Sequence, residues 1–244
     1  MSNLQFINLP VEIHHCIFDD LDVHTIISSV RCVCKQLRDI VNSYDRFKFK
    51  FTSAERSYLK VLSRLVKPSD AISLDLVGGS AGHGCIEVFL QNFNISHFNR
   101  FRALTLSQVT NVEIAQLLPN VTANSVISLT VNILGLENNE IFSVIFQFII
   151  QANLQKLDLS ASTYSRRAIE IPWPNQNTLE QLTIGSCSYD AYRIILHNSH
   201  RLRKMVIENF IIDNVNLIIT SFVKAVPNSA KKQCIDIDSE GTVS

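Results

Sequence analysis

Residues 8–21, "NLPVEIHHCIFDDL", crowd His14, His15 and Cys16 together beside Asp19 and Asp20, the residue types that ligate zinc or build a nucleophilic pair. A structural zinc site needs four converging side chains, usually two separated ligand pairs of the Cys-x2-Cys kind. Cys32-x-Cys34 has a different spacing, and residues two apart on a helix point about 200° away from each other. His14 and His15 are adjacent and diverge in the same way. A reactive thiolate wants an electropositive, accessible setting, and nothing in the sequence supplies one. The expectation is ordinary core and surface roles for this cluster, with no metal and no cofactor.

A second chemical pattern is "LDLVGGSAGHGCIEVFL", an extended run that passes through glycines into a helical stretch, as in phosphate-binding loops. Gly79 and Gly84 have the required spacing. The two positions that should hold Lys and Ser or Thr, to reach the phosphates and a magnesium ion, hold Cys85 and Ile86. This stretch is expected to be a turn joining a strand to its return helix. Asp158 and Asp190 have no catalytic frame around them. The chain is expected to do no chemistry of its own.

The whole chain sets wider limits. At 244 residues it exceeds one usual compact core, which favours two unequal domains or one elongated architecture. Hydrophobic residues make up 46% and charged residues 18%, ample material for burial. Lys plus Arg number 22 and Asp plus Glu number 22, so no net field draws the molecule to nucleic acid or anionic lipid. The first residues lack the basic start and apolar run of a signal peptide, and "IFSVIFQFII" is too short for a membrane helix. Six scattered cysteines suit a reducing compartment, cytoplasm or nucleus, where the sequons at Asn94 and Asn120 would not be used.

The elements that carry the opening cluster follow from apolar spacing. Pro10, Ile13, Ile17 and Leu21 recur at steps of three and four, with Pro10 in the first turn of a helix. Asp22 is placed to cap a second short helix carrying Val23, Ile26, Ile27 and Val30. A third, "VRCVCKQLRDIVNSY", sets Val30, Val33, Leu37, Ile40, Val41 and Tyr44 on one face. Three helices in so few residues make a core that is marginal alone and must lean on a neighbour or a partner.

"LPVEIHHCIFDDLDVHTIISSVRCVCKQLRDIV" resembles an F-box. Leu9, Pro10, Glu12, Ile13, Ile17, Phe18, Leu21, Val33, Cys34, Lys35, Leu37 and Val41 stand at matching positions, while Ile26-Ile27-Ser28-Ser29 departs from the more Leu-rich family text. The resemblance implies docking to the small adaptor subunit of SCF-type cullin–RING ubiquitin ligases, with a cullin scaffold behind it and the rest of the chain selecting a target. It places Leu9, Pro10, Ile13, Ile17 and Leu21 near the adaptor surface.

Beyond this module "RFKFKF" alternates like a half-buried strand, and Thr52 with Glu55 makes a capping-box pattern ahead of a helix through Leu59, Leu62 and Leu65 that Pro68 stops. The expected division is residues 1–50 for the helices, 51–70 for a rigid connection and 71–244 for the remainder. There the frame Leu-x-x-Leu-x-Leu, with other apolar residues allowed, starts at 71, 101, 126, 154, 179 and 202, advancing by 30, 25, 28, 25 and 23 residues. A weak further copy lies at Ile235 and Ile237. Between copies run helical stretches, "CIEVFLQNF", "NEIFSVIFQFII", "YDAYRIILHN" and "NVNLIITSFVKAV". Stacked strand–turn–helix units bury what single units cannot.

These copies resemble irregular leucine-rich repeats, an α/β solenoid of six to seven units with parallel strands on a concave face and helices on a convex one. The turn asparagine or cysteine of that class is met only by Cys187, and "STYSRRAIEIPWPNQN" replaces a helix. Frame leucines point inward, so the residues between them, Asp75, Thr105, Thr130, Asp158, Thr183, Val206 and Asp236, face the open sheet. Ser128, Asn132, Lys156, Gln181, Lys204 and Glu208 flank them. Asp75, Thr105, Thr130, Asp158, Thr183 and Glu208 are the candidate target contacts, with Trp173 as a possible loop anchor. The reading is a non-catalytic ligase receptor for an unknown protein target, with no nucleic acid and no membrane partner. The alternative is a repeat scaffold whose F-box-like helices only cap the first unit.

Overall fold

Each apolar pair of the repeat frame lands on a strand of one sheet. Strands β1 (Phe47–Phe51), β2 (Ala71–Val77), β3 (Ala103–Val109), β4 (Ser128–Ile133), β5 (Lys156–Leu159), β6 (Gln181–Ser188) and β7 (Lys204–Ile212) lie side by side in chain order, all parallel. The computed structural model describes residues 6–51, 56–78, 85–133, 139–159, 178–212 and 215–219. Leu74, Leu104, Leu129, Leu157, Leu182 and Met205 are register partners from strand to strand, and all are buried. Strictly sequential order means each unit packs only on its neighbours, as the stacked-unit reading predicts.

Helices α5 (Arg56–Leu65), α6 (Cys85–Asn92), α7 (Asn111–Leu117), α8 (Asn139–Gln151) and α9 (Tyr189–Asn198) return the chain between strands. Helix α5 packs on α6, α6 on α7 and α7 on α8, while α9 meets β6 and β7. Their buried residues join the strand leucines in one apolar cluster. At its first turns the cluster is aromatic: Phe51 lies 5.7 Å from Phe89, and Phe49 lies 5.8 Å from Phe93 and 5.9 Å from Phe98.

The two-residue gap in the frame has a backbone cause. The N–H groups of Ile127 and Ser128 both donate to the Arg102 carbonyl at 2.9 Å, those of Gln155 and Lys156 to Ile127, those of Glu180 and Gln181 to Gln155, and those of Arg203 and Lys204 to Glu180. One carbonyl thus serves two donors at each of the four steps from β3 to β7. Cys187 is buried, and its thiol, pushed up to about 12 by burial, donates to the Ser188 carbonyl. Strand β3 carries a bulge at its far end, where Gln108 has a φ of 55°. Gly78 packs against it so closely that a Cβ would sit 2.3 Å from the Gln108 carbonyl oxygen, and only glycine fits.

Several expectations are corrected. The sheet begins one strand before the frame, because Phe49 and Phe51 pair in register with Leu74 and Leu76. Helix α5 runs through Leu65 as expected, but Leu65 is exposed and Val66 takes the inward place. Helix α7 was not anticipated, although Thr110 and Glu113 form a full capping box: the Thr110 hydroxyl accepts from the Glu113 N–H, and the Glu113 carboxylate accepts from the Thr110 N–H at 2.8 Å. "NVNLIITSFVKAV" opens as β8 (Val215–Ile219), antiparallel to β7, since its Val and Ile residues suit a strand that covers the sheet edge. The Thr52/Glu55 cap, the loop from Gly79 to Gly84, the stretch around Trp173 and the weak copy with Ile235, Asp236 and Ile237 lie outside the described residues.

Candidate functional site

The N-terminal module is built from short helices with little core of their own. Helix α1 (Val11–Phe18) buries His14 and Phe18. Pro10 sits at its N-cap rather than within the first turn. Asp22 caps the next helix as predicted, its carboxylate accepting from the Thr25 N–H at 2.8 Å. Helix α2 (Val23–Thr25), a π-helical turn (Ile26–Val30) and α3 (Arg31–Val33) run on without a break. The π-turn falls where the sequence departs from the family text.

The single third helix expected from Val30 to Tyr44 is corrected by Cys34. That residue is extended, with φ −157° and ψ 170°, and its sulfur accepts from the Leu37 N–H to cap α4 (Lys35–Ser43). Val30 to Val33 therefore close the preceding helical run, and Val33 points outward instead of joining Leu37, Ile40 and Val41 in the core. The reason is local: one cap replaces a continuous hydrogen-bond ladder, so the apolar stripe is cut in two.

The histidines serve packing. His14 is fully buried, its Nδ1–H donating to the Pro10 carbonyl at 3.0 Å and its ring 4.8 Å from that of Phe6. His15 lies against Tyr44, with ring centroids 5.3 Å apart. Among the described residues no three His, Cys, Asp or Glu side chains converge on one point.

What the module leaves outside is apolar. Phe6 is 45% exposed, Val11 41%, Ile13 45% and Val33 71%. Beside Val11 runs an open groove lined by Leu9, Lys35, Gln36, Asp39 and Ile40. Gln36 reaches across to donate to the Ile7 carbonyl at 2.9 Å, which ties the leading turn to α4. Of the five residues singled out from sequence, Pro10 and Ile13 are exposed, while Leu9, Ile17 and Leu21 are half-buried, Leu21 against the core. Phe6, Val11 and Val33 went unremarked as surface residues. Phe6 precedes the periodic stretch, and only the break at Cys34 turns Val33 outward.

The module is fastened to the sheet by shared packing. Phe18 meets Tyr44 and Tyr44 meets Phe47 of β1, both edge to face, at 5.5 and 4.9 Å. Asp19 accepts from the Tyr44 hydroxyl at 2.9 Å, pairs with Arg46 at 3.0 Å and receives Lys48 at its carbonyl. Burial and the Asp19 bond together push the Tyr44 phenol well above its usual value. Arg100, ahead of β3, pairs with Asp45 at 2.8 Å, and the Tyr58 ring rests 4.3 Å from that of His24.

The strand positions between the frame leucines form a second row. Lys50, Asp75, Thr105, Thr130, Asp158, Thr183 and Val206 are register partners, half-buried apart from exposed Lys50. Glu208 is exposed further along β7. Burial raises the Asp75 carboxyl above its ordinary range against the pull of Lys50, 4.0 Å away, and Asp75 Oδ1 is buried without a partner. The row at the start of the strands, on the same face, reads Lys48, Ser73, Ala103, Ser128, Lys156, Gln181, Lys204 and contains no carboxylate. Lys156, Gln181 and Lys204 are exposed neighbours in it.

Two surfaces thus stand out: an apolar one on the N-terminal helices and a polar, ridged one on the sheet. Neither assembles a nucleophile with a base, so both suit contact rather than catalysis. Among the described residues no helix is long and apolar enough to cross a membrane. Compared with known families, residues 6–49 match the F-box domain, a match that ends within β1. No curated protein matches the chain.

Proposed function

We propose that the chain is a non-catalytic substrate receptor of an SCF-type cullin–RING ubiquitin ligase. F-box proteins generally serve as non-catalytic ligase adaptors, and the observation that carries the reading is the exposed apolar set Phe6, Val11, Ile13 and Val33 on the F-box segment. Apolar side chains of this size grouped on one small module mark a protein contact. Residues 1–50 dock the adaptor subunit, 51–70 connect, and 71–244, read as leucine-rich-repeat-like with a concave strand face, hold a target protein. Holding the target near a ubiquitin-charged enzyme raises the effective concentration of its lysines, so no residue here need react.

Leu9, Pro10 and Ile13 are the adaptor contacts, with Ile17 and Leu21 shared between that surface and the module's own packing. Asp75, Thr105, Thr130, Asp158, Thr183 and Glu208 supply target contacts. The working compartment is cytoplasm or nucleus, where such ligases act. Replacing Ile13 or Leu9 by Ala weakens adaptor binding by about 2 kcal/mol if either anchors the interface. Calorimetry with purified adaptor reads this, and unchanged affinity in both variants overturns the docking face.

The packing of Phe18, Tyr44 and Phe47 also favours a second reading, in which the helices cap the exposed edge of β1 and bind nothing. Co-purification of adaptor and cullin with the full chain separates the two. Point variants serve better than removal of residues 1–50, which would take β1 out of the sheet.

A further inference from the structure

We propose that the row at the start of the strands is a docking strip for an acidic, extended segment of the target, rich in Asp and Glu. The proposal rests on the receptor reading and names the chemistry of its target. The chain as a whole carries equal numbers of basic and acidic residues, yet this row holds Lys156 and Lys204 and no carboxylate, with Lys48 at its far end already engaged by the Asp19 carbonyl. Among the described residues neither Lys156 nor Lys204 has an ion-pair partner, whereas Glu180 beside them is taken by Arg203 at 3.8 Å.

Geometry restricts the occupant. Lys156 and Lys204 lie two strands apart, roughly 10 Å at ordinary strand spacing, which matches acidic side chains three positions apart on an extended peptide of the polyproline II kind, whose three-residue turn returns them to one side. Gln181 sits between them, able to donate to and accept from the peptide backbone. A nucleic-acid strand fits poorly, since it carries a charge at every nucleotide and would cross Ser73, Ala103 and Ser128 without a cation.

The test uses the full chain and a fluorescein-labelled peptide with Glu at every third position among Gly and Ser, with a Gln version as control. Fluorescence anisotropy is followed in the wild type and in Lys156→Gln/Lys204→Gln, whose exposed sites leave the melting temperature unchanged. Affinity for the Glu peptide is expected to fall about fivefold in the double variant, and wild-type binding to weaken with added salt. Equal binding of Glu and Gln peptides, equal binding by the double variant, or tighter binding of single-stranded DNA or of a phosphoserine peptide alone overturns the proposal. Adaptor co-purification from the same preparations reports the receptor reading separately, so the two can fail independently.

Discussion

Asp75 faces the sheet surface with one carboxylate oxygen buried and unpartnered, and the other at the edge of reach of Lys50. Burial raises its carboxyl above the ordinary range, so the folded chain binds a proton there more tightly than the unfolded chain does. The linkage sign follows: stability falls as pH rises from the ordinary carboxylate value through the raised one. Asp75→Asn keeps the shape and removes the charge, so it is expected to raise the melting temperature at neutral pH. The gain should fade below roughly pH 4, where the unfolded carboxyl is also protonated. Thermal melts of both proteins across pH check this, and a variant melting below the wild type at neutral pH contradicts it. Asp45 behaves oppositely, because the bond from Arg100 lowers its value, and its small contribution is lost as acid protonates it.

Among the elements, α7 shows how short helices are held. It has seven residues, so propensity alone cannot sustain it. The Thr110–Glu113 box closes its first turn and buries Glu113, while Ile114 and Leu117 fill the core. Thr110→Ala is expected to cost about 1 kcal/mol, read from denaturant midpoints at unchanged slope. The cap was legible in the sequence as Thr-x-x-Glu, but the helix behind it is too short for apolar periodicity to register. The break at Cys34 was not legible at all. Val30 to Tyr44 has one continuous apolar stripe, and only the extended backbone at Cys34 divides it and sends Val33 to the surface.

For the whole molecule, the decisive feature is that helices and sheet share one core. Phe18, Tyr44 and Phe47 form an unbroken aromatic path from α1 to β1, and Asp19 gathers Tyr44, Arg46 and Lys48 across the same junction. A module this small gains its order from that contact. Phe18→Ala, which empties a fully buried site, is therefore expected to cost about 4 kcal/mol. Hydrogen exchange should show α1 and β1 losing protection together. Loosening of α1 alone, with β1 still protected, would mean the two parts fold separately.

Sequence by itself determined strands β2 to β7, since the spacing of the frame leucines sets both which residues point inward and the register in which one strand meets the next. It also determined the family likeness of the opening helices, which rests on residue order. Tertiary structure decided which of those helices' apolar residues stay outside. Burial of a short helix depends on what packs against it: Tyr44, itself packed on Phe47 of β1, claims Phe18, while Ile13 and Val33 stay exposed and keep the surface on which a partner can dock.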